Sequence, residues 1–223
     1  MMNGYYYNIK GFFDKQVVNG VGDKNDVYIF DTKTIKGVYM NLRKLSLKYP
    51  DFVIKGKTVY GESSAYMTNG IDYELSREMF AIASVLKRNK VAYGIDSAPA
   101  REFAKAIPIK RNGTKMQLAV GAVINAEIGG RDYSNGATHW DGMEQATAFP
   151  ASFKGASNGK FESHRNTWGW EISQEHYDKW RQFIGAKFVD AGRIHPATVG
   201  RNKGKIRAKS TAVYKGTIFW KVT

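Results

Sequence analysis

The sequence predicts an α+β fold, a mainly helical domain with small β elements at its N- and C-terminal ends. Three observations carry this expectation. The segment 75–88, LSREMFAIASVLKR, places Leu75, Met79, Ile82, Ala83 and Leu86 on one helical stripe. The segment 115–127 does the same with Met116, Ala119, Val120, Val123 and Ile124. Stretches rich in β-branched and aromatic residues lie towards both chain ends, at 27–40 and 211–222, each broken by turn residues.

Residues 1–50 are rich in Tyr, Gly, Asn and Lys, and 27–40 (VYIFDTKTIKGVYM) reads as a hairpin or extended arm. The expected division is therefore an N-terminal arm, 1–50, followed by one catalytic domain, 51–223, with a basic C-terminal region. Asp72 or Ser76 is suited to cap the helix at 75–88, and Lys87 and Arg88 at its end complement the helix dipole. The stretch 99–107 reads as a short helix opened by Pro99. Gly129-Gly130 stops the helix that starts at Lys115. Ser173–Ile184 has a capping Ser, an inward set of Tyr177, Trp180 and Phe183, and Gly185 as terminator. Residues 196–210, rich in Gly, Lys and Arg, read as an exposed loop, and 211–222 reads as a hairpin turning at Lys215-Gly216.

The chain has 223 residues, 43% of them hydrophobic, which suffices for a sizeable core. It contains no cysteine, so disulfides, thiolate catalysis and Cys-based zinc sites are excluded. No apolar run approaches the roughly 20 residues of a membrane span. The start, MMNGYYYNIKGFF, lacks the pattern of a secretory signal. The net charge is +14, and residues 151–223 hold 14 Lys/Arg against 5 Asp/Glu, so +9 of it lies in the last third. A polyanionic partner fits that balance: nucleic acid, an anionic membrane face or an acidic cell wall.

His139, His164, His176 and His195 show no metal-ligand spacing, and neither a phosphate loop nor a GxSxG elbow is present. No cofactor or metal is expected. Carboxylates remain as candidate chemistry. Glu62 in TVYGESSAY follows Val59 and Tyr60 and precedes small residues. A glutamic acid partly buried beside apolar groups retains its proton and can act as a general acid. Taken alone, a glutamate in such a place is more often a solvated charge. A second stretch, 129–142 (GGRDYSNGATHWDG), joins turn residues to Tyr133, His139 and Trp140, a composition suited to a sugar-binding groove or to a turn with aromatic anchors.

Together these stretches resemble the spore-cortex-lytic cell wall hydrolase family. Tyr60-Gly61-Glu62 matches its Y-x-E element, and Ala81–Asn89 matches its A-x-A-S-V-x-x-N-R helix end with Asn and Arg transposed. Asp132–Trp140 matches its D-x-(T/S)-x-G-A-x-x-(F/W) element. The resemblance covers about residues 55–142 and implies a lysozyme-like fold that cleaves peptidoglycan glycan strands, usually as a lytic transglycosylase. By position it makes Glu62 the catalytic acid/base. Family members often carry a second Glu four residues on, where this chain has Tyr66. The candidates for a second carboxylate are then Asp132, Asp141 and Glu144. Tyr133, Ser134, Asn135, Gly136, Ala137, His139 and Trp140 would bind substrate, and Ser84 and Asn89 would orient hydrogen bonds behind the acid.

The expected partner is peptidoglycan. Made in a bacterial cytoplasm without a signal peptide, the protein would act in the periplasm or wall as a secreted antibacterial effector or a phage-type lysin. The effector reading implies an immunity protein and a carrier from the secretion machine. The alternative is a non-enzymatic basic binding module, for nucleic acid or within a phage particle, supported by the +14 charge and by aromatics interleaved with Lys/Arg over 201–221.

Overall fold

The computed structural model describes residues 1–89, 95–111, 113–141, 167–184, 198–199 and 206–222. It is α+β, as the sequence predicts, and its contacts divide into two units, Met1–Asp132 and Tyr133–Thr223.

The first unit opens with strands β1 (Gly4–Asn8), β2 (Phe13–Val17), β3 (Asp26–Phe30) and β6 (Arg43–Lys48), in sheet order β2-β1-β3-β6. Between β3 and β6 lies the small hairpin β4 (Thr32–Lys33) and β5 (Tyr39–Met40), as expected for 27–40. The tyrosine run of β1 obeys the two-residue period of a strand. Tyr6 stacks on Tyr28 and Tyr39, with centroids 5.0 and 5.3 Å away. Its neighbours Tyr5 and Tyr7 turn to the other face, where Tyr5 stacks on Tyr49 and Tyr7 meets Phe52 at 5.2 Å. Tyr49 and Phe52 belong to helix α1 (Tyr49–Glu62), which continues directly from β6. Residues 1–50 are therefore no separate arm. The aromatic alternation gives this sheet two covered faces, and one of them is covered by α1, a helix that was not expected and that lies where a different domain was expected to begin.

Four helices complete this unit: α1, α2 (Tyr73–Asn89), α3 (Ala98–Ala106) and α4 (Lys115–Glu127). Asp72 caps α2 as predicted, and two further caps hold α3 and α4. Asp72 Oδ1 accepts from the Leu75 amide at 2.8 Å, Ser97 caps α3, and Thr114 caps α4. Leu75, Met79, Ile82, Ala83 and Leu86 are all buried. Close packing of α3 on α1 requires Gly56, because a Cβ there would stand 2.6 Å from the Phe103 ring. Gly129, at φ +74°, ends the run after α4.

The second unit holds β7 (His139–Asp141), β8 (Thr167–Glu171), helix α5 (Gln174–Ile184), β9 (Thr198–Val199), β10 (Ile206–Tyr214) and β11 (Thr217–Val222). Its sheet order is β7-β11-β10-β8-β9. Trp180 of α5 packs with Ile172, Ala208, Val213, Ile218 and Trp220 to form its core. Ser173 caps α5 by accepting from the His176 amide. Tyr177 packs against this core as expected, and Phe183 lies partly buried under the Lys215 ammonium. The terminal hairpin turns at Lys215, which adopts φ +51°, as its sequence predicts. Residues 206–210, expected in a loop, instead extend β10, because Ala208 and Ser210 alternate inward. Gly185 lies outside the described residues. Among the described residues, no helix is long and apolar enough to cross a membrane.

Candidate active site

Glu62 is the last residue of α1 and is partly buried. The helix stops because Ser63 is extended (φ −81°, ψ 164°), its hydroxyl turned back onto the Tyr60 carbonyl at 3.0 Å. A single 3₁₀ turn comes next, Ser64–Met67. This turn is held from both sides. Glu78, fully buried on α2, accepts from the Ser64 amide through Oε2 and from the Ser64 hydroxyl through Oε1, both at 2.8 Å. Lys115, the first residue of α4, donates to the carbonyls of Ala65, at 2.6 Å, and of Thr68. The Thr68 hydroxyl closes the turn on the Ser64 carbonyl at 2.8 Å. An anion thus meets the amide end of the turn and a cation its carbonyl end, the sense that the peptide dipoles favour. Tyr66, Met67 and Tyr73 point into solvent around it, and the Arg77 guanidinium lies 3.7 Å over the Tyr73 ring. Tyr66 stands where the resemblance would place a second Glu, and its side chain is 68% exposed.

These contacts also fix the helix directions. α2 and α4 both start beside the Ser64 turn and run back along α1. At their far ends Glu127 of α4 accepts from Lys55 of α1 and Lys87 of α2, each at 2.5 Å. The Glu127 side chain is only 2% exposed. A cavity of about 490 Å³ opens beside this triad, lined also by Leu47, Asp51, Ile54 and Leu86.

Asp132 lies at this far end, ion-paired with Arg88 at 2.8 Å. Arg88 is ten residues beyond Glu78 on one helix, a rise of about 15 Å. As a candidate second carboxylate, Asp132 is therefore committed to a cation remote from the Ser64 turn. Ser84 is buried, and its hydroxyl donates to the Phe80 carbonyl of its own helix at 2.9 Å. Asn89 is the last residue of α2 and partly buried.

The stretch from Tyr133 belongs to the second unit, where it forms a turn and then the edge strand β7. The Tyr214 hydroxyl donates to the Tyr133 carbonyl at 3.0 Å, and the Thr211 hydroxyl to the Ser134 carbonyl at 2.7 Å. Asn135 adopts φ +53° and donates to the Thr211 carbonyl at 2.9 Å. Ser134 and Ala137 are fully buried. Gly136 adopts φ +78°, a conformation that favours glycine, and the space a Cβ would take is open. His139 and Trp140 pair in register with Trp220 and Phe219, and Asp141 with Ile218. Burial holds the His139 imidazole below its ordinary pKa. Glu144 lies outside the described residues. Among the described residues no group of three or more His, Asp or Glu is arranged to hold a metal ion.

Sequence reasoning passed over Glu78, Lys115 and Glu127. A signal for Glu78 was present: it lies three residues after Leu75 and four before Ile82, a charge set within an apolar stripe. No family model, no curated protein and no solved structure matches the chain. The resemblance to the cell wall hydrolases stands on its motifs alone.

Proposed function

We propose that the protein cleaves peptidoglycan glycan strands with Glu62 as a single acid/base. The observation that carries this reading is the setting of Glu62: a partly buried carboxyl at the end of α1, next to a turn braced by a buried carboxylate and an ammonium. Partial burial of a carboxyl beside apolar side chains favours its protonated form. That is the form a general acid needs.

Glu62 would protonate the oxygen joining N-acetylmuramic acid to N-acetylglucosamine. The carboxylate so formed would take the proton of the muramyl 6-hydroxyl, which closes on C1 to give a 1,6-anhydro end. Hydrolysis would require a second carboxylate, about 5 Å away for retention or about 6.5–9.5 Å for inversion. Glu78 does not suit that role, since it is fully buried and both its oxygens accept from Ser64. The reading therefore favours the lytic transglycosylase over the muramidase. The basic last third would hold the acidic wall, and the protein would serve as a secreted antibacterial effector or a phage-type lysin.

The test is digestion of purified sacculi. The wild type should release soluble muropeptides with anhydro ends, read by mass spectrometry, and Glu62→Gln should lower the rate by at least about a hundredfold with the fold intact. The net charge of +14 supports a second reading, a non-catalytic nucleic-acid binder. Absence of released muropeptides, together with steeply salt-dependent DNA binding, would establish it instead.

A further inference from the structure

We infer that Glu78 is a positioning residue for Glu62, acting with Lys115 through the turn Ser64–Met67. The inference rests on the glycan-cleavage reading and adds to it the group that holds the acid in place. A fully buried carboxylate is costly to leave unbonded, and here both of its oxygens are engaged by a turn. Both of its oxygens accept from Ser64, two residues after Glu62, one from the amide and one from the hydroxyl. Lys115 takes up the opposite end of the same turn at the Ala65 and Thr68 carbonyls. The chain leaving Glu62 is thus held two residues on by a side chain from α2 and three and six residues on by one from α4. The direction of the Cα–Cβ bond of Glu62 is set by that backbone, and with it the reach of the acid. Reaction rates fall steeply when a catalytic group is displaced by about 1 Å.

Glu78→Gln keeps the volume but sets an amide NH₂ against one of the two Ser64 donors. Lys115→Met keeps the aliphatic stem and removes the ammonium from the other side. Both are compared with wild type for muropeptide release across a range of sacculus concentrations. Binding to sacculi is measured separately with each change placed in the inactive Glu62→Gln background. The expected result is a fall in the rate at saturation of about ten- to a hundredfold for Glu78→Gln, a smaller fall for Lys115→Met, and sacculus binding within twofold of Glu62→Gln alone. A purely structural role would lower the folded fraction and leave the rate per folded molecule unchanged. Where Glu78→Gln does not fold, Lys115→Met decides by the same split. Rates per folded molecule within twofold of wild type in every variant that folds overturn the inference while leaving Glu62 as the acid. Undiminished release by Glu62→Gln overturns the underlying reading instead.

Discussion

Two buried carboxylates of the same three helices hold different parts of them: Glu127 bonds to two other helices, and Glu78 bonds to the turn after α1. Glu127 sits between two ammoniums, Lys55 from α1 and Lys87 from α2, and so ties three helices together at one end. Glu78 is fully buried at the other end, where it accepts from the amide and hydroxyl of Ser64. A staple needs strong, local charge compensation, and Glu127 has it. A brace for a turn needs direction, which hydrogen bonds to an amide and a neighbouring hydroxyl supply. Similar burial thus serves helix packing in one place and the geometry after Glu62 in the other.

Glu127→Ala is the largest test of this contrast. It removes two charge-assisted bonds from a side chain that is only 2% exposed, and should cost about 2–3 kcal/mol of stability. The measurement is a urea unfolding midpoint, expected to fall with an unchanged slope. Muropeptide release per folded molecule should stay at the wild-type rate. A rate lowered as much as by Glu78→Gln would erase the distinction between staple and brace.

A smaller effect sharpens the staple itself. The Lys55 side chain is 21% exposed and that of Lys87 is 42% exposed. The more solvated ammonium contributes less, since water already screens its pairing. Lys55→Met should therefore cost about 1–2 kcal/mol and Lys87→Met about 0.5–1 kcal/mol, read from the same unfolding curves. Equal losses would show that exposure does not rank the two bonds.

Helices α2 to α5 were legible because apolar spacing or Pro99 marks them and the bonds at their starts are local, Asp72, Ser97, Thr114 and Ser173 each bonding within three residues, whereas α1 was not read from the sequence. The N-terminal sheet was harder to place. Its tyrosines face both ways, and the partners Tyr49 and Phe52 lie more than forty residues downstream, so no local pattern could join 1–50 to the helices. Residues 206–210 read as a basic loop because Arg207 and Lys209 alternate with Ala208 and Ser210, which the strand turns inward. Around Glu62 the sequence offered only the short motif Tyr60-Gly61-Glu62. It did not reveal the brace, because Ser64, Glu78 and Lys115 meet only after three helices have packed.

A third buried carboxylate, in the N-terminal sheet, supplies the smallest prediction. Asp26 on β3 accepts from Lys44 at 2.7 Å and Lys48 at 2.5 Å, its own side chain 3% exposed and both lysines about half exposed. Burial alone would raise its carboxyl, but the bonds from the two lysines outweigh it and hold the group below its ordinary value. Asp14, which accepts from the Tyr39 hydroxyl and Lys33, is lowered in the same way. A carboxyl depressed in the folded state takes up its proton first in the unfolded chain. Its contribution is therefore complete above the unfolded value, near about pH 4, and is lost as the pH falls through the lower folded value. Thermal melts between pH 2 and 7 should show stability declining below about pH 4, with Asp26→Asn flattening that limb and costing under about 1 kcal/mol at neutral pH after solvent screening of the lysines. Both ammoniums on Asp26 are about half exposed, whereas of the two on Glu127 only Lys87 is comparably exposed. An Asp26→Asn loss as large as that of Glu127→Ala would mean that the burial of the carboxylate, rather than that of its cations, sets the strength of these clusters.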